Sequence, residues 1–222
     1  MAFSPPPSRL TSLQRDLLGA FFAREQRLFL TGGAALAGFY FGHRETEDLD
    51  LFGPPGLDLQ AVGRSLDAAV VACGASARAV ETHPDFRRVL ATRGDEQCIV
   101  DIAVDRAPML EPTKATFGSI RVDTLREIAA NKVCTLLGRA EIKDLVDLEQ
   151  ILGAGVDLAD ALRDAATKDA SVDPATLAWL LDQITIGPRA ALPGGVDPVR
   201  IARFREDLAR RLRGFAFDRA GA

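Results

Sequence analysis

The chain has 222 residues, 47% of them hydrophobic and 26% charged, with a net charge of −4. A chain of this size can bury one sizeable core or two modest ones, and no uninterrupted apolar run approaches the roughly 20 residues of a membrane span. The acidic balance excludes general electrostatic capture of nucleic acid, so any RNA contact needs a local basic patch.

The opening M-A-F-S-P-P-P-S-R-L lacks the apolar core of a signal peptide. Cys73, Cys98 and Cys134 lie among apolar neighbours with no C-x-x-C spacing and read as reduced core thiols. His43 and His83 are too few for a histidine-based metal site. A cytoplasmic protein is expected, with no membrane partner.

In chain order, the pattern predicts a leading helix over 13–26 and a short apolar strand over 28–30. Residues 34–41, rich in alanine, leucine and aromatics, continue as a buried helix. Gly32 and Gly33 then occupy a strand-to-helix corner, where a missing Cβ lets phosphate oxygens approach backbone N–H groups and the helix N-terminus favours negative charge. Residues 48–52 alternate with strand period, which puts Asp48 and Asp50 on one face and Leu49 and Leu51 in the core. Two carboxylates on one face can share divalent cations, and hard oxygen ligands suit Mg²⁺. Alone, D-x-D also fits a solvated strand end and G-G a simple turn; the ordered set within about twenty residues gives both their weight.

A further helix is expected over 57–73. Residues 86–92 and 98–104, joined by a polar turn at Arg93, Gly94, Asp95 and Glu96, read as a β-hairpin. Alternation puts Asp101, Ala103 and Asp105 on one face and Val100, Ile102 and Val104 on the other. Asp101 is expected to complete a metal triad and to help deprotonate an incoming hydroxyl. The alternative is an edge strand with its polar face in water. Asp105, nearer the strand end, ranks below Asp101.

Thr124 followed by Glu127 forms a capping-box pattern, with Asp123 as a competing cap, and opens a helix through 138. Lys132 lies on the flank of its apolar stripe, and Arg139 follows seven residues later on nearly the same line. Lys132 either snorkels from a core helix or contacts a triphosphate and offsets charge on the leaving pyrophosphate. Over 141–152 apolar residues spread around much of the helix, leaving Asp144 and Asp147 poorly placed for solvation. They form structural ion pairs with Lys132, Arg139 or Lys143, or one of them orients a catalytic lysine. Helix signals recur around 160–166 and 176–184, with Trp179 assigned to the core. Near the C-terminus Arg200, Arg203, Arg205, Arg210, Arg211 and Arg213 surround an apolar line of Ile201, Phe204, Leu208, Leu212 and Phe215. This amphipathic helix reads as a solvated face and, should the acceptor be tRNA, as the first place to look for phosphate contacts.

The succession G-G-A-A-L-x₆-H-R-x-T-x-D-L-D-L-F, then V-D-I, K-x₆-R and K-D-L-V-D-L, resembles the AbiEii/AbiGii-type toxin family of nucleotidyltransferases, in the DNA polymerase β-like superfamily. The resemblance implies an α/β (α+β) fold: a minimal nucleotidyltransferase mixed-sheet lobe over 1–122 followed by a helical lobe over 123–222. It also implies an NTP substrate with Mg²⁺, or Mn²⁺ in its place, and transfer of a nucleoside monophosphate to an acceptor. In related toxins the acceptor can be a tRNA 3′ end, and the partner is commonly an antitoxin encoded next door. By motif position Gly32 and Gly33 become phosphate-loop residues, Asp48 and Asp50 metal ligands, and Asp101 the third carboxylate. Lys132 becomes the phosphate-binding lysine, Arg139 the arginine of the K-x₆-R motif on the nucleotide, and Asp144 the late acidic position. Arg44 contacts phosphate or fixes the loop. Where superfamily members often show Gly-Ser, Gly33 and Ala34 leave the backbone amides to bind without a hydroxyl. A small-molecule (antibiotic-type) nucleotidyltransferase and a catalytically idle NTP-binding regulatory protein are the rival readings.

Overall fold

The computed structural model describes residues 8–139 and 141–220, without the side chains of 218–220. Most of the opening segment read above for a signal peptide, residues 1–7, lies outside the described residues. The chain divides into two compact units, Met1–Arg106 with Thr113–Thr124, and Ala107–Pro112 with Leu125–Ala222.

The first unit is built on a mixed seven-stranded sheet in the order β3-β4-β5-β2-β1-β7-β6. Its strands are β1 (Phe29–Thr31), β2 (Asp48–Gly53), β3 (Ser76–His83), β4 (Phe86–Arg93), β5 (Glu96–Val104), β6 (Ala115–Phe117) and β7 (Ile120–Val122). The β2–β5 and β1–β7 pairs are parallel and the others antiparallel. Helices α1 (Ser12–Phe22) and α3 (Leu59–Ala72) pack on each other and against the sheet. Leu13, Leu17, Phe21, Val62 and Leu66 from these helices are buried, as are Leu49, Leu51, Val89, Val100 and Ile102 of the strands. The alternation in β2 and β5 thus commits one face to the core and leaves the other to the carboxylates. Thr11 and Gln14 close a reciprocal capping box at the start of α1, so two amides that the helix cannot satisfy find partners.

Several elements depart from the sequence-based expectation: the leading helix expected over 13–26 ends at Phe22, and strands β3, β6 and β7 are additions to that expectation. All eight residues of β3 are exposed on the edge of the sheet, so no alternation of burial marks the strand in the sequence. The helix expected over 34–41 is one α-helical turn, α2 (Gly32–Ala35), that widens into a π-turn segment, Leu36–Tyr40.

The second unit is helical: α4 (Leu125–Gly138), α5 (Ile142–Gly153), α6 (Leu158–Lys168), α7 (Pro174–Gln183) and α8 (Pro198–Ala220). Helix α4 packs on α5, α6 and α7, and α8 packs on α5 and α7. Asp157 and Asp173 cap α6 and α7 through their side chains. Trp179 is not core but 61% exposed. The buried stripe of α7 runs through Leu177, Ala178 and Leu181, and Trp179 lies two residues, about 200° around the helix, from both leucines.

Candidate active site

The acidic face of the first unit follows from strand register. Thr31 pairs with Asp50, Asp50 with Asp101, Asp101 with Arg88, and Arg88 with Glu81. Directly paired residues project to the same side of a sheet, so these five form one row across five strands. Asp48, two residues before Asp50, shares that face, and its Oδ1 accepts from Thr46 Oγ1 at 2.8 Å. Asp48 and Asp50 are half-buried, whereas Leu49 and Leu51 are enclosed. Strand β5 has partners on both sides, so Asp101 does not lie on an edge strand; it is only 6% exposed.

Asp101 is already occupied. Arg88 Nε donates to its Oδ1 at 2.8 Å and Nη2 to its Oδ2 at 2.6 Å, a bidentate pair. This pairing, with burial working against it, raises the pKa of the guanidinium. Among the described residues no group of three His, Cys, Asp or Glu side chains is arranged to hold a metal ion. The three-carboxylate cluster expected from the sequence is thus not assembled among the described residues, and Arg88 engages both oxygens of its third member. Asp48 and Asp50 present hard oxygen donors on one strand face, a type of donor that suits Mg²⁺ or Mn²⁺ completed by substrate phosphate and water.

The glycine corner is tighter than an open cradle. Gly32 has φ +66°, and a Cβ there would collide with Oδ2 of Asp50. A Cβ on Gly33 would meet Nη2 of Arg44. The space freed by the two glycines thus admits a metal-ligand candidate and a buried guanidinium. Arg44 also donates from Nη1 to the carbonyl of Glu45 at 3.0 Å, which ties the loop before β2. Beneath the corner, the Thr31 hydroxyl donates to Asp123 Oδ2 and Lys114 Nζ to Asp123 Oδ1, both at 2.8 Å. The Tyr40 hydroxyl donates to the Asp123 carbonyl at 2.7 Å, and Lys114 Nζ lies 4.4 Å from the centre of the Phe29 ring. Lys114 and Asp123 are buried, so each satisfies a charge the other leaves in low dielectric. Asp123 is the anchor of this network.

In the second unit Lys132 does not snorkel. Its side chain is 7% exposed and its Nζ lies 2.8 Å from Asp144 Oδ1 and 2.6 Å from Asp147 Oδ2, both carboxylates being fully enclosed. Burial, the largest single influence, acts to lower the lysine pKa, but Asp147 and Asp144 together outweigh it and hold the pKa above its ordinary value. The ammonium is therefore charged at neutral pH. Arg139 is half exposed and reaches Asp144 Oδ2 at 3.7 Å. Along α8, Arg200 is paired with Glu149 at 2.7 Å, Arg213 with Asp182, and Arg210 with Asp207. Those arginines face acidic partners, which weakens the helix as a phosphate-binding strip.

Arg88, Lys114 and the anchoring role of Asp123 were not anticipated. A signal for Arg88 existed: a two-residue turn at Gly94 and Asp95 makes Arg93 face Glu96 and so sets Arg88 opposite Asp101. The Thr31–Asp123–Lys114 contacts join residues far apart in sequence, and no local pattern marks them.

A mixed sheet with a D-x-D strand against a glycine corner, followed by a helical unit with a buried lysine, defines the nucleotidyltransferase class of fold. JHP933 from Helicobacter pylori shares the fold at a TM-score of 0.56, with 17% identity over 94% of this chain and 92% of that chain. So does MenT4, a nucleotidyltransferase toxin from Mycobacterium tuberculosis, at a TM-score of 0.58 and 16% identity, over 91% of this chain and 85% of that one. The sequence matches the family described as "Nucleotidyl transferase AbiEii toxin, Type IV TA system" over residues 15–220, and the chain belongs to that family. No curated protein matches it. Among the described residues, no helix is long and apolar enough to cross a membrane.

Proposed function

We propose that the protein is a metal-dependent nucleotidyltransferase that moves a nucleoside monophosphate from an NTP to an RNA acceptor of tRNA type, as the cytoplasmic toxin of a pair with a cognate antitoxin. The observation that carries this reading is the parallel register that sets Asp50 beside Asp101, on the face shared with Asp48 and against Gly32. Family membership supports the toxin role. In favour of an RNA acceptor stands the half-buried Phe86 ring on the same face, on which a base can stack.

In the transfer, an acceptor hydroxyl oxygen bonds to the α-phosphorus as the α–β anhydride bond breaks. Pyrophosphate leaves with the bonding electron pair, and the hydroxyl proton passes to a carboxylate, Asp101 in this proposal. Asp48 and Asp50 would hold Mg²⁺ or Mn²⁺, which when bound offsets the phosphate charge. The amides of Gly32 and Gly33 bind phosphate oxygens, and Arg44 keeps the corner in shape. Lys132 and Arg139 keep the nucleotide role that the family motif implies, and to play it Lys132 would have to exchange its contacts with Asp144 and Asp147 for phosphate.

The test is incubation of the protein with each α-³²P NTP, Mg²⁺, a tRNA pool and a panel of small hydroxylated acceptors. Label is expected in RNA, and D50N should lower it by at least about a hundredfold while thermal melting stays unchanged. Label on small molecules alone would transfer the assignment to the antibiotic-type reading. Nucleotide binding without any labelled product would leave an idle NTP-binding protein.

A further inference from the structure

Asp48, Asp50 and Asp101 share one face of adjacent strands, and such a group repels itself unless a cation is present. The next strand supplies one. Arg88 stands in register with Asp101 and lays its planar fork along the carboxylate, engaging both oxygens. A guanidinium so placed uses the in-plane lone pairs that a metal ion would need.

Arg88 is also partly open to solvent, with other groups beside it. Its side chain is 39% exposed, its guanidinium carbon lies 5.5 Å from the centre of the Phe86 ring, and its partner in register on β3 is Glu81. A swing of the long side chain toward ring and carboxylate keeps the cation compensated and frees Asp101.

We propose that Arg88 is a stand-in cation: it neutralises Asp101 while no divalent ion is bound and competes with that ion for the carboxylate. Arg88 is then a positioning residue that sets the threshold for completing the three-carboxylate site. This inference rests on Asp48 and Asp50 being metal ligands.

Mn²⁺ titration followed by electron paramagnetic resonance, without nucleotide, tests it on the whole chain. R88M is expected to bind Mn²⁺ about tenfold more tightly than the wild type, a change of one decade in Kd. The gain should vanish in R88M/D101N, and R88K should fall between the wild type and R88M. In EDTA, R88M should melt below the wild type, because Asp101 loses its counter-ion, and added Mn²⁺ should raise its melting point more than that of the wild type. Equal or weaker Mn²⁺ binding by R88M, with D50N still lowering affinity, overturns the competition alone. If D50N binds Mn²⁺ as the wild type does, the metal assignment of Asp50 fails, and the proposal falls with it.

Discussion

Replacing Lys132 with methionine removes an ammonium held between two enclosed carboxylates, Asp144 at 2.8 Å and Asp147 at 2.6 Å. Breaking a buried ion pair by deleting one partner costs about 3–5 kcal/mol, because the remaining charge is left without compensation. In a chain of this size each kcal/mol lowers the melting point by about 2–4 °C, so K132M should melt about 6–20 °C below the wild type at pH 7.5. The defect should shrink at pH 5, since an unpaired buried carboxylate gains stability by taking up a proton. K132M/D144N/D147N, which keeps shape but removes the charges, should recover most of the loss. In the wild type the raised lysine pKa gives the opposite dependence: its contribution is complete below the ordinary value of 10.5 and is lost only as pH climbs through the raised value. Differential scanning calorimetry across pH measures all of this. A K132M protein that melts with the wild type would refute the energetic account of the cluster. If the rescued triple variant also transfers label at the wild-type rate, Lys132 is structural and does not act on phosphate.

Two further outcomes are expected. Gly32→Ala should be harmful twice over, because a left-handed φ costs about 1–2 kcal/mol for a residue with a Cβ and the methyl displaces Asp50. G33A meets only the flexible end of Arg44, so Mn²⁺ affinity should fall clearly more in G32A; equal effects would contradict the role given to the corner. Glu96 accepts from the Ser12 hydroxyl, the Leu13 amide and Arg93, which pull its pKa down to about 2, so the tie to α1 is complete above 4.5 and is lost as pH falls through about 2. Amide exchange in α1 should accelerate over that window and lose this dependence in E96Q; a flat profile in the wild type would refute the tie.

The features that were legible in the sequence are those written in local period. Asp48 and Asp50 alternate with leucines that are enclosed, as strand geometry demands, and the hairpin around Gly94 is marked by its turn residues. Helices α3 to α7 were readable from apolar spacing, their ends differing by a residue or two, and α8 runs on past the apolar line that marked it. What escaped depends on partners distant in sequence or on environment. Strand β3 is exposed along its whole length, so nothing in its composition had to alternate. Lys132 and Asp101 were identified as residues, but that one lies enclosed between two aspartates and the other is clasped by Arg88 follows only from packing. Trp179 shows the reverse error: its size argued for burial, while its angular position on α7 places it in solvent.

The most direct measurement is a crystal structure with Mn²⁺ and a non-hydrolysable NTP analogue, read by the anomalous signal of the metal. A peak about 2.0–2.3 Å from carboxylate oxygens of both Asp48 and Asp50, with the triphosphate at the Gly32–Gly33 corner, is expected. A metal bound away from both aspartates, or a nucleotide seated elsewhere on the chain, would contradict the assignment of this face as the reaction centre.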